Sequence, residues 1–112
     1  MTRDEFIRLI ESSEYSDRRC ELFDGQVLEK MPTMWRSFIL TTCARMFGNY
    51  LDTRKLPGYG LISPHLKLPN DENMPLIDYC VLLQPLSNLD DYLDVCPEII
   101  VEIEYPGLAT GH

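Results

Sequence analysis

A chain of 112 residues, 45% apolar and 25% charged, has the composition of one modest globular domain spanning 1–112. No apolar run approaches the ~20 residues that cross a bilayer, and the mixed-charge start Met1-Thr2-Arg3-Asp4-Glu5 has no signal-peptide core, so a cytoplasmic protein away from the membrane is expected. A formal charge of −8 argues against a general nucleic-acid binder, which needs a basic surface, but not against an enzyme that meets phosphate through a divalent ion.

Thr2 reads as the N-cap of a first helix over Arg3–Ser12. Glu5 follows at the capping-box spacing, and Phe6, Leu9 and Ile10 form the apolar stripe. Arg19 to Met31 reads as a β-hairpin, because Asp24-Gly25 suits a type I′ turn whose central residues both need positive φ. Pro32 and Thr33 open a long helix reaching Thr53. Its Trp35, Phe38, Ile39, Thr42, Met46, Phe47, Tyr50 and Leu51 recur at spacings of three and four, which predicts a core-facing stripe with Arg36, Arg45 and Asn49 turned away.

Leu56 to Gly60 breaks that helix. A strand over Leu61–Leu68 follows, with Pro64 marking an edge or a bulge. Next come a polar turn, a strand over Pro75–Leu83, a loop with a helical turn near Leu89–Leu93, and a last strand over Glu98–Tyr105. This order predicts an α+β fold: a mixed β-sheet with an N-terminal helix, a hairpin and one long helix packed on the sheet. Cys20, Cys43, Cys80 and Cys96 have no Cys-x-x-Cys pair among them and read as buried free thiols.

Charge is unevenly spread. All ten basic residues lie in the first 70 positions, and the last 42 carry nine carboxylates. Period-two geometry puts Ile99, Val101, Ile103 and Tyr105 on one face of the last strand and Glu98, Ile100, Glu102 and Glu104 on the other. Asp78 shares its face with apolar Leu76, Cys80 and Leu82, so it must lie near a strand end or be paired. Two carboxylates about 4 Å apart repel by roughly 4 kcal/mol at an effective dielectric near 20. A cation that joins the cluster, or separation of the charges in space, explains such a set more easily than chance packing.

The run Cys20-Glu21-Leu22-Phe23-Asp24-Gly25-Gln26-Val27-Leu28-Glu29-Lys30-Met31-Pro32, then Ile77-Asp78-Tyr79-Cys80-Val81, then Cys96-Pro97-Glu98-Ile99-Ile100-Val101-Glu102-Ile103-Glu104-Tyr105-Pro106, resembles the Uma-type endonuclease family of the PD-(D/E)xK superfamily. The resemblance spans nearly the whole chain in order. It implies a restriction-endonuclease-like fold and Mg²⁺- or Mn²⁺-dependent hydrolysis of DNA. Asp78 and Glu102 would be metal-binding acids, with Glu104 beside them, and Glu21 the N-terminal glutamate facing the same site.

The departures are Gln26 for a family Glu, Arg36 for a His that opens the long helix, Ile77 for the Pro before the aspartate, and Glu104 in the place of the superfamily's lysine. The family's lysine further along has no counterpart, because no basic residue follows Lys67. The C-terminal part of the nuclease domain is therefore expected to be lacking. Lys67, on the strand before Asp78, is the nearest substitute. Arg36 reads as a surface salt bridge rather than a phosphate contact. His65 reads as a strand-edge residue and His112 as part of the free end.

Three readings remain open: a Mg²⁺-dependent endonuclease, a catalytically inactive relative acting as an interaction or oligomerisation module, and an acidic α+β domain with no site. Exposed edges and apolar surface in so short a domain predict a two-fold homodimer.

Overall fold

The computed structural model describes residues 1–84 and 90–104. Helix α1 (Arg3–Ile10) starts as its sequence requires: Glu5 N donates to Thr2 Oγ1, and Glu5 Oε1 accepts from Thr2 N at 2.8 Å. The hairpin of β1 (Cys20–Phe23) and β2 (Gln26–Glu29) turns at Asp24 (φ 49°) and Gly25 (φ 78°), the two positive values that a type I′ turn needs. Its register pairs Glu21 with Leu28 and Cys20 with Glu29. Cys20 and Leu22 point inward with Phe6 and Met74 to form one core cluster, which leaves Glu21 on the opposite face.

Helix α2 runs over Met34–Arg54, capped by Thr33. Strands β3 (Tyr59–Ile62), β4 (Tyr79–Leu82) and β5 (Ile99–Val101) make a three-stranded antiparallel sheet in the order β3-β4-β5. The α+β class and the restriction-endonuclease-like arrangement are as expected. Both ladders are antiparallel, and parallel pairing is limited among the described residues to the isolated bridge between Leu66 and Leu93. Strand β4 is buried on both faces. On one face Cys80 and Leu82 meet Leu66 and Leu93; on the other, Tyr79 and Val81 meet Leu40, Phe47 and Leu51 of α2.

The face that α2 buries differs from the expected one. Arg36, Leu40 and Leu51 are buried, with Cys43, Ala44 and Phe47 partly so, whereas Trp35, Phe38, Met46 and Tyr50 are half-exposed or more. The spacing rule was satisfied by two stripes about a third of a turn apart. The stripe that packs is the one whose first member finds a partner, because Arg36 meets Asp78.

Three other expectations change. The strand expected over Leu61–Leu68 pairs only to Ile62, since Ser63 takes a left-handed φ of 56° and turns the chain. The last strand stops pairing at Val101. In the segment expected to hold a helical turn, residues 85–89 lie outside the described residues, and the chain bends at Asp91 and Tyr92 into the Leu93 bridge. All four cysteines are free, but Cys43 is only partly buried and Cys96 is exposed.

Candidate metal centre

Four elements bring charged side chains to one end of the three-stranded sheet. Asp78 immediately precedes β4, Glu102 immediately follows β5, Glu21 lies on β1, and Lys30 lies just past β2. Backbone bonds fix these positions. Lys30 N donates to Arg19 O at 2.7 Å, which extends the hairpin by one rung, and Leu22 bridges to Met74, which brings the hairpin against the segment leading into Asp78.

The Lys30 ammonium is the hub. Its Nζ lies 3.3 Å from Glu102 Oε2, 3.8 Å from Glu21 Oε1 and 3.8 Å from Asp78 Oδ1. It also donates to the Leu76 carbonyl at 2.6 Å. The three carboxylates that the sequence marked as converging therefore do converge, and the joining cation is a side chain of the chain itself. Among the described residues no group of three or more His, Cys, Asp or Glu could hold a metal ion as the side chains now stand. Lys30 stands between the acids.

Asp78 is the deepest of the three, at 3% exposure. Its Oδ1 accepts from Arg36 Nε at 2.9 Å and its Oδ2 from Ile103 N at 2.7 Å. This second bond explains why β5 ends early: the Asp78 carboxylate takes the Ile103 amide that a longer ladder would use. Burial alone would push the Asp78 carboxyl up. The Ile103 amide, the Arg36 guanidinium and the Lys30 charge outweigh that and hold it below the usual range. Glu102 shifts the other way. Burial raises it, Lys30 pulls it back, and the neighbouring Asp78 charge raises it again. Of the coupled pair, Glu102 takes up a proton first.

Arg36 is a buried partner, not the surface salt bridge expected. A cation in the first turn of a helix opposes the helix dipole, and the Asp78 contact offsets that cost. Arg36 Nη2 also donates to Ser63 Oγ at 2.8 Å, and Arg19 Nη1 donates to the same hydroxyl at 2.9 Å. Ser63 thus ties the hairpin, α2 and the end of β3 around the acids.

Two of the residues expected here lie elsewhere. The Lys67 ammonium sits 5.7 Å from the Tyr92 ring centroid and its amide bonds Leu93 O, so Lys67 is not brought to the carboxylates. Glu104 is exposed and makes no ion pair among the described residues. Its place beyond the end of β5 removes the strand alternation that had grouped it with Glu102. His65 is partly buried: its Nε2 donates to Cys20 O at 2.7 Å, its ring meets Phe6 and Tyr92 edge-on, and burial lowers its pKa. His112 lies outside the described residues.

Lys30 is the residue that sequence reasoning missed, although the signal was present. The Asp24-Gly25 turn fixes the register that pairs Glu21 with Leu28. A lysine two residues beyond Leu28 points to the same face and lies diagonally across from Glu21, within reach of a long side chain.

Comparison with known proteins adds one finding. Neither curated proteins nor solved structures gave a match. A protein-family model does match, over residues 3–111, nearly the entire length. The chain therefore belongs to the Uma2 family, described as "Putative restriction endonuclease".

Proposed function

We propose that this chain is a divalent-cation-dependent DNA endonuclease domain, with Asp78, Glu102 and Glu21 as its acidic centre and Lys30 as its basic residue. The observation that carries the reading is the meeting of three carboxylates from three separate segments on one ammonium. The donors are all oxygen, as Mg²⁺ and Mn²⁺ prefer. The Lys30 ammonium acts as a stand-in that marks where a cation fits between them. Asp78 and Glu102 would hold the ion, with Glu21 as the third acid. When bound, the ion would polarise a scissile phosphate and make hydroxide available from water near neutral pH.

The remaining roles belong to the chain. Arg36 and the Ile103 amide hold Asp78 ionised and in one orientation. Glu102, about half exposed, is the most open of the three acids to an approaching phosphodiester. Lys30 has a four-carbon stem anchored at its backbone, so its ammonium can move outward from between the acids and still reach far enough to orient a water and offset charge on the phosphate. Lys67 has no such access. Four free thiols suit a reducing compartment, and we place the activity in the cytoplasm.

The test is nicking of supercoiled DNA in Mg²⁺ or Mn²⁺. Glu102→Gln, a partly exposed position, should fold normally and lose activity by on the order of a hundredfold or more, at least as much as loss of a group behind a metal ligand costs. Retained cleavage in Glu102→Gln, or none in folded wild type, counts against the reading.

A second reading, a catalytically inactive relative serving as an interaction module, is favoured by one observation. Both oxygens of Asp78 are already bonded, and the residue is almost wholly buried. Absence of nicking from a folded protein would support it. In either case the apolar row on α2 (Met34, Trp35, Phe38, Met46 and Tyr50) offers a surface for a two-fold homodimer. Among the described residues no helix is long and apolar enough to cross a membrane.

A further inference from the structure

We propose that Lys30 is a tethered competitor for the divalent cation: its ammonium and the ion claim the same point among Glu21, Asp78 and Glu102, so the ion binds only as Lys30 swings aside. This rests on the endonuclease reading for the identity of the ion. Its physical content is the geometry of one side chain.

The ammonium has three N–H donors. One is committed to the Leu76 carbonyl at 2.6 Å and another is aimed at Glu102 Oε2 at 3.3 Å. The third faces Glu21 Oε1 and Asp78 Oδ1, each 3.8 Å away. A Mg²⁺ ion needs oxygens at about 2.0–2.1 Å. Nζ lies within 3.8 Å of an oxygen of each acid, so an ion shared by the three would sit close to the point that Nζ now holds. A divalent ion there would lie within a few ångströms of a like charge, so the two cations exclude one another.

The tether has one rigid end and one free end. The Lys30 amide is locked to Arg19 O at 2.7 Å, whereas its side chain is about a quarter exposed. The ammonium can therefore move outward without disturbing the hairpin. Arg36 cannot do the same: it is buried, with Nε on Asp78 and Nη2 on Ser63. Of the two cations on Asp78, only Lys30 is free to yield. Without a divalent ion the three acids remain partly neutralised and the fold does not depend on metal.

The test compares Mn²⁺ binding, read from the free-ion paramagnetic resonance signal, in wild type, Lys30→Met, Lys30→Gln and Lys30→Arg. Both neutral variants should bind Mn²⁺ at least tenfold more tightly than wild type. Lys30→Arg should stay close to wild type, and adding Glu102→Gln to Lys30→Met should abolish the gain. Thermal unfolding supplies a second readout: Mn²⁺ should raise the melting temperature of the neutral variants more than that of wild type. A neutral variant that folds only with Mn²⁺ present also supports the proposal.

Equal or weaker Mn²⁺ binding in both neutral variants overturns it, as does failure of both to fold even with Mn²⁺. The outcome is separable from the enzymatic reading. Tighter binding in Lys30→Met without DNA nicking by wild type leaves the competition standing and removes the endonuclease. Nicking by wild type without tighter binding in the neutral variants does the reverse.

Discussion

Arg36 Nε lies 2.9 Å from Asp78 Oδ1, with both side chains at most 5% exposed, and this pair fixes the first turn of α2 to the start of β4. Removing one member of a buried pair leaves the other charge uncompensated, at a typical cost of 3–5 kcal/mol. Arg36→Met should therefore lose about 3 kcal/mol in urea unfolding, toward the lower end because Asp78 keeps the Ile103 amide and Lys30. Arg36→Lys should recover only part, since a lysine cannot serve Asp78 and Ser63 together through a planar fork. A loss below about 1 kcal/mol would show the pair to be incidental.

The acid limb of stability follows from the two shifted carboxyls. Asp78 is depressed in the folded state, so its contribution is complete above the ordinary aspartate value near 4 and is lost as pH falls through the lower folded value. Glu102 is raised, so the folded state takes up its proton first, and stability rises slightly as pH falls through that window. Urea unfolding across pH 3–7 should show the steep loss only below about 4. Asp78→Asn should flatten that limb. An unchanged limb in Asp78→Asn would refute the assignment.

Two glycines should respond in opposite directions to alanine. Gly48, inside α2, has nothing within 4 Å of an added Cβ, so Gly48→Ala should stabilise by about 1 kcal/mol through helix propensity. Gly58 has φ +147°, and a Cβ there would lie 2.5 Å from the Leu82 carbonyl oxygen on β4. Gly58→Ala should destabilise and move β4 relative to α2. Melting temperatures of the two variants check both signs.

The row Met34, Trp35, Phe38, Met46 and Tyr50 exposes half or more of each side chain. At up to about 200 Å² for each large side chain, these supply roughly 500 Å² per copy, a large share of the ~800 Å² per partner in a stable interface. Light scattering at micromolar concentration should report a two-fold assembly, and Phe38→Asp should convert it to monomer. A monomeric wild type would remove this surface from consideration.

Local chemistry makes the capping box at Thr2, the Asp24-Gly25 turn and the long helix legible in the sequence, because each depends on neighbours within a few positions. Glu21, Asp78 and Glu102 were legible as a set through the family resemblance. The buried face of α2 was not. Two apolar rows satisfy the same spacing rule, and the choice between them depends on Arg36 finding Asp78 across 42 positions. The reach of the last strand was hidden for a related reason: a side-chain carboxylate took the Ile103 amide. Lys30 does not stand out in the sequence because Lys67 is the basic residue nearest Asp78 along the chain, whereas the hairpin register carries Lys30 in from far before it.

The most direct test of the acidic centre is a crystal structure of the chain grown with Mn²⁺, with anomalous scattering recorded. The account predicts an anomalous peak bound by Asp78 and Glu102 carboxylate oxygens, with Glu21 facing it and the Lys30 ammonium moved outward from its 3.3 Å contact with Glu102. Lys30 still seated among the three carboxylates, with no anomalous peak at saturating Mn²⁺, would contradict it.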